Sequence, residues 1–205
     1  MGRVLVRTFV ALRCGPDVAR RLRRESDRLA GLDRACRAPA TDEYHATLHF
    51  LGDTDERDLA AVGRALGEAA RGIPPLRLRY GGLGAFPTPT RARVVFAALR
   101  EEGGEAHLPR LARAVGERLG RIGYPPESRA FHAHVTLARL RGLPGPALAE
   151  AVAGAVDLDL GRETVSEVRF ILSDPGERGY RYIDLTVVPL EGLPGGPGGA
   201  ESGAE

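Results

Sequence analysis

Two segments of the chain carry one pattern, His-x-Thr-Leu: His45-Ala46-Thr47-Leu48 and His134-Val135-Thr136-Leu137. Side chains on a β-strand alternate between its faces, so each segment, if extended, presents an imidazole beside a hydroxyl. His45 and Thr47 then face one way, as do His134 and Thr136. Leu48 with Phe50, and Val135 with Leu137, turn the other way into a core. Four of the five histidines fall in the slightly longer stretches 45–50 and 132–137 that contain these segments, the exception being His107. A chain built around this repeat is expected to bring two related strands to one place.

The intervening sequence supplies a frame for them. Residues 3–12 alternate with apolar side chains on both faces, as an inner strand does. Pro16 can open a helix that carries Val18, Leu22 and Leu29 to Gly31. The first motif strand runs 44–51 and ends at Gly52. Asp53, Thr54 or Asp55 can cap a helix with Leu59, Val62 and Leu66 as its buried stripe. Strands 76–80 and 93–99 flank a turn-rich connector from Gly81 to Pro89, a long-looped hairpin. Leu108, Leu111, Val115, Leu119 and Ile122 mark another helix, followed by the second motif strand, 131–140. A short helix over 146–155 and a hairpin of strands 163–172 and 180–190 complete the pattern. From Glu191 the composition is Gly, Pro, Ala, Ser and Glu, and a disordered tail over 191–205 is expected.

This order predicts an α+β fold over residues 1–190: two pseudo-symmetric lobes of antiparallel sheet with helices packed outside. One motif strand per lobe would set both His-Thr faces on a shared cleft, where ligands usually bind. With 205 residues, 43% of them hydrophobic, the chain has enough for one substantial core or two small fused lobes. It contains no apolar run of about eighteen residues and no signal-peptide pattern, so a cytoplasmic protein without a membrane partner is expected. Cys14 and Cys36 lack close metal-ligand spacing and are read as reduced thiols. A formal charge of +2 excludes a general nucleic-acid coat. All 29 basic residues are arginine, whose guanidinium fork suits local phosphate recognition.

Two histidines can divide the work of phosphodiester hydrolysis: one deprotonates a water and the other protonates the leaving oxygen. His45 and His134 are the candidates. Thr47 and Thr136 can donate hydrogen bonds to phosphate oxygens, and Arg139 can offset their charge. Strict alternation puts Arg139 opposite to His134 unless the strand bends near Ala138. Three other readings compete. Each histidine could be a packing residue, though the duplication with threonine at the same offset argues against it. His132 with His134, or His45 with His49, share a strand face and could hold a metal, but no carboxylate or thiolate cluster completes a ligand set. Asp157-x-Asp159 fits a solvent-facing strand edge better than a metal pair. Gly81 to Phe86 lacks the Gly-Lys-Ser/Thr ending of a phosphate loop and is read as a turn.

The segments His45-Ala46-Thr47-Leu48-His49-Phe50-Leu51-Gly52 and Phe131-His132-Ala133-His134-Val135-Thr136-Leu137-Ala138-Arg139 resemble the motifs of the 2H phosphoesterase superfamily. Within it they resemble specifically those of bacterial RNA 2′,3′-cyclic phosphodiesterases, formerly called 2′-5′ RNA ligases. The resemblance extends through Phe9-Val10-Ala11-Leu12, Gly84-Ala85-Phe86-Pro87, Arg93-Val94-Val95-Phe96, Ser173, Gly179-Tyr180 and Pro189-Leu190, leaving only the tail outside. Ala133 stands where that family often has Pro, and Phe96 where it often has Trp. The resemblance implies a bilobal α+β fold and opening of a terminal 2′,3′-cyclic phosphate to a 2′-phosphate, with no metal or other cofactor. It also implies 2′-5′ RNA joining as a side reaction in some members. It carries catalytic roles onto His45 and His134, and phosphate contacts onto Thr47, Thr136 and Arg139. The implied partners are RNA ends or nucleotides bearing the cyclic phosphate, bound by a monomer. A non-catalytic RNA-end binding module of the same fold is the alternative. His49 and His132 fall where the family varies, although alternation puts both on the active face, and they are read as cleft-lining or neutral.

Overall fold

The computed structural model describes residues 2–39, 43–126, 130–176 and 179–192. Among these described residues nine strands and four helices follow one another: β1 (Leu5–Arg13), α1 (Pro16–Leu32), β2 (Cys36–Arg37), β3 (His45–Asp55), α2 (Leu59–Ala70), β4 (Leu76–Phe86), β5 (Val94–Glu101), α3 (His107–Gly120), β6 (His134–Leu140), α4 (Pro146–Ala153), β7 (Asp159–Val165), β8 (Glu167–Gly176) and β9 (Gly179–Pro189). Single 3-10 turns over Glu56–Asp58 and Pro89–Arg91 precede α2 and β5. The strands form two antiparallel sheets, ordered β3-β1-β8-β9 and β2-β6-β5-β4-β7.

Each sheet holds one motif strand, β3 in the first and β6 in the second, paired with β1 and β5 respectively. The connections match as well. The helix between β1 and β3, α1, packs on β6 and β7 of the opposite sheet. The helix between β5 and β6, α3, packs on β3 of the opposite sheet. The helix after each motif strand, α2 or α4, packs on the sheet that strand belongs to. This exchange of helices ties the lobes together. Buried apolar residues from both sheets and all four helices accordingly form one main core, with Leu22, Leu66, Leu111, Leu137 and Phe170 fully enclosed, and Phe9, Ala11 and Ile171 form a small separate cluster. The predicted two-lobed α+β arrangement is therefore present.

The structure departs from the expected elements in several places: it adds the short strand β2, β3 runs through Gly52 to Asp55, so that Asp53 and Thr54 lie in the strand instead of capping a helix, and β6 begins only at His134. Gly81 to Phe86 is not a turn but the second half of β4. Its glycines answer to close packing: a Cβ on Gly81 would sit 2.0 Å from the Leu158 carbonyl oxygen, and one on Gly84 would sit 2.4 Å from the Phe96 ring. Glycine there admits a neighbouring chain segment and an aromatic ring, so composition alone imitates a loop. The expected strand 163–172 is two strands, because the chain leaves the second sheet after β7, crosses at Ser166 and enters the first sheet as β8. Asp159 opens β7 at the sheet edge, and its carboxylate accepts the Gly161 N–H. At the other end of the chain, the Gly192 N–H donates to the Ile73 carbonyl. The rest of the expected tail, 193–205, lies outside the described residues. No helix among those described is long and apolar enough to cross a membrane.

Candidate active site

Register decides which side chains of the motif strands meet. In β3, Thr47 lies opposite Ala11 and His49 opposite Val10, so Leu48 is an extra residue, a β-bulge. Beyond a bulge the alternation changes parity. Leu48 and His49 are both buried, and Phe50, expected in the core, is 51% exposed on the same face as His45 and Thr47. In β6 Thr136 lies opposite Phe96 and Ala138 opposite Val95, so Leu137 is the matching extra residue. Leu137 and Ala138 are buried, and Arg139 emerges beside His134 and Thr136. The repeat is thus longer than His-x-Thr-Leu: the bulge is repeated too, and Phe50 corresponds to Arg139.

Both faces open on one cleft of about 770 Å3, lined by His45, Thr47, His134, Thr136 and Arg139. The placement of Arg139 opposite to His134 under strict alternation is overturned by the bulge. His49 is also misplaced by simple alternation. It is 6% exposed and turned to α3, where a Cβ on Gly116 would lie 3.9 Å from its Nδ1. His45 and His49 therefore do not share a face. His107 belongs to another part of the molecule, 3.1 Å from both Glu101 and Glu105 at the start of α3.

The two cleft imidazoles have matching surroundings. His45 Nδ1–H donates to the Glu43 carbonyl at 3.0 Å, and His134 Nδ1–H donates to the His132 carbonyl at 2.7 Å. A carbonyl can only accept, so each bond holds the proton on Nδ1 and leaves Nε2 with its lone pair. Aromatic rings fix the planes. Phe9 and Tyr182 flank His45 at centroid distances of 4.9 and 5.1 Å, and Phe86 and Phe96 flank His134 at 5.2 and 5.3 Å. Burial holds both imidazoles below the usual histidine range. Their carbonyl hydrogen bonds oppose that shift, and the charge of Arg139 adds to it in both.

Arg13, paired with His45 across the β1–β3 ladder, organises one half of this site. Its guanidinium donates to the carboxylates of Glu43 and Asp184 and to the Tyr182 carbonyl. It thereby holds the residue whose carbonyl orients His45 and the strand whose tyrosine ring borders it. Arg13, Phe9, Phe86 and Tyr182 are not distinguishable in the sequence by any motif. Phe9 and Phe86 fall within the stretches of family resemblance, but that resemblance gives them no role. Ala133 and Phe96 keep their positions beside the site, with Phe96 contributing a face of the His134 cage. Cys14 and Cys36 are free thiols. Among the described residues, no group of three or more His, Cys, Asp or Glu is arranged to hold a metal ion.

The chain matches a family of known proteins: the LigT like Phosphoesterase model covers residues 13–96 and 99–168. The chain belongs to the LigT-like phosphoesterases. It is 35% identical over 166 residues to an RNA 2′,3′-cyclic phosphodiesterase of Aeropyrum pernix, covering 80% of this chain and 92% of that one. It is 31% identical over 182 residues to an RNA 2′,3′-cyclic phosphodiesterase of Archaeoglobus fulgidus, covering 89% and 99%. Among solved LigT-like folds, a protein of Thermus thermophilus superimposes with a TM-score of 0.75 at 26% identity, covering 91% of this chain and 98% of that one. E. coli LigT in complex with 3′-AMP superimposes with a TM-score of 0.71 at 23% identity, covering 91% and 99%.

Proposed function

We propose that this chain hydrolyses the 2′,3′-cyclic phosphate of RNA ends or nucleotides to a 2′-phosphate, with His45 and His134 as the acid–base pair. The observation that carries the reading is the meeting of two His-Thr faces in one cleft, each imidazole with Nδ1–H engaged and Nε2 available. The names of the relatives agree with it.

The reaction proceeds by attack of water on phosphorus. One neutral imidazole takes a proton from the water through Nε2 as the new P–O bond forms. The P–O3′ bond breaks, and the other imidazole, protonated, gives its Nε2 proton to the departing O3′. The products are a 3′-hydroxyl and a 2′-phosphate, and solvent returns both histidines to their starting states. Thr47 and Thr136 donate hydroxyl protons to the non-bridging oxygens, and the Arg139 guanidinium offsets the charge that gathers there. Both halves of the site come from one chain, so a monomer suffices. The test is turnover of a 2′,3′-cyclic nucleotide and of an RNA with a cyclic-phosphate end, after exhaustive chelation. Hydrolysis to the 2′-phosphate is expected to persist, since hydroxyl and guanidinium donors take the place of a cation. Loss on chelation with recovery on adding a divalent ion would overturn the metal-free reading, and binding without turnover would leave an RNA-end binding module.

The pH dependence follows from the same pair. The free enzyme must have one imidazole neutral and one charged, so kcat/KM is expected to be bell-shaped. Burial depresses both from the ordinary value of 6.5, so charging either requires a lower pH. The maximum therefore falls on the acid side of that value. A profile that rises monotonically into alkaline pH would exclude paired imidazole catalysis.

A further inference from the structure

Beside the catalytic cleft lies a second hollow, of about 640 Å3. The two share Thr47, Phe50, Phe86 and His134, so the hollow begins where the phosphate-facing wall ends. Its back is the face of α3 that carries Pro109, Ala112 and Gly116, positions spaced to lie along one side of a helix. Small residues there keep the hollow open. Its rim is aromatic: Phe50 is 51% exposed and Phe131 39% exposed, while the exposed His132 ring stands edge-on to Phe86 at 5.6 Å. The size lies within the usual range for small-ligand pockets, and the shape is concave, so a flat protein partner is not what it suits. Hydrolysis of a mononucleotide needs only the first cleft. The occupant of the second must then continue from the phosphate, have flat apolar faces and need few charged contacts. A nucleoside meets these conditions, because every base offers a face for stacking on an aromatic side chain.

We infer that this hollow binds the nucleoside adjoining the terminal one, so that the preferred substrate is an RNA end and not a free cyclic nucleotide. The inference rests on the phosphodiesterase reading above. It predicts that kcat/KM for a dinucleotide ending in a 2′,3′-cyclic phosphate exceeds that for the matching cyclic mononucleotide by about tenfold or more, the effect of one base stack. Ala112→Leu, which fills the hollow, and Phe131→Ala, which removes an exposed stacking face, should each pull that ratio towards one. Phe131→Tyr, which keeps the ring, should preserve it. Phe131 is partly exposed, so its variants remain informative where Ala112→Leu is too unstable to assay. Equal efficiency on both substrates in the parent protein would overturn the inference. So would variants that lower both efficiencies by one factor, the result expected if the hollow takes the terminal base itself. Cleavage of neither substrate would defeat the phosphodiesterase reading, an outcome distinct from equal cleavage of both.

Discussion

Replacement of His45 or His134 by alanine is expected to lower kcat/KM on a cyclic-phosphate end by at least about a hundredfold, while the protein remains folded. General acid or base catalysis by one positioned group contributes about 10²- to 10⁴-fold, and each variant removes one such group. The expected effect is large because a replacement water has no rigid holder. Each native imidazole is fixed by a carbonyl on Nδ1 and by two aromatic rings, so its Nε2 is already aimed before substrate arrives. The two variants should differ in pH dependence. Loss of the base removes the acid limb of the kcat/KM profile, and loss of the acid removes the alkaline limb, so the pair of profiles assigns the roles. Single-variant rates with circular dichroism as a check on folding make the measurement. A well-folded alanine variant at either position that turns over at near the parent rate would remove that histidine from the mechanism.

Much of this site is legible in the sequence because its information is local. His-x-Thr fixes an imidazole and a hydroxyl on one strand face by the pleat alone, and the structure keeps each pair on the cleft. The helices α1, α2, α3 and α4 are readable from apolar spacing with Pro or Gly at their ends, since capping and periodicity act within a few residues. What escapes depends on residues distant in sequence. The bulges at Leu48 and Leu137 arise from pairing with β1 and β5, and they change the side on which the next side chains emerge. Strict alternation misplaces Phe50, His49 and Arg139 for this one reason. The glycines of β4 resemble a loop because their partners, the 155–158 segment and the Phe96 ring, are invisible from the local sequence. The break at Ser166 is hidden because no glycine or proline interrupts residues 163–172, and only sheet membership separates β7 from β8. Arg13 looks like any strand-end arginine until its contacts with Glu43, Asp184 and Tyr182 are known.

The repeated bulge also makes Arg139 the most informative arginine to change. It lines the cleft together with both His-Thr pairs, and its charge lowers the pKa of His45 and of His134. Two effects should therefore appear together in Arg139→Ala. Loss of a charge-assisted hydrogen bond to phosphate, worth about 1.5 to 3 kcal/mol, corresponds to a fall of roughly tenfold to a hundredfold in kcat/KM. Removal of the positive charge also lifts one cause of depression from both imidazoles, so both limbs of the pH profile should move to higher pH. Arg139→Lys separates the two effects. Lysine keeps the charge and with it the position of the profile, but it lacks the planar fork, so the rate should still fall. The corresponding position in β3 is Phe50, which carries no charge, so at this position of the repeat only β6 supplies a cation. Measured on one cyclic-phosphate RNA at fixed salt, a profile that stays in place in Arg139→Ala would mean that this guanidinium does not act on the histidines. Parent-like rates in both variants would mean that another arginine, such as the cleft-lining Arg7, meets the phosphate.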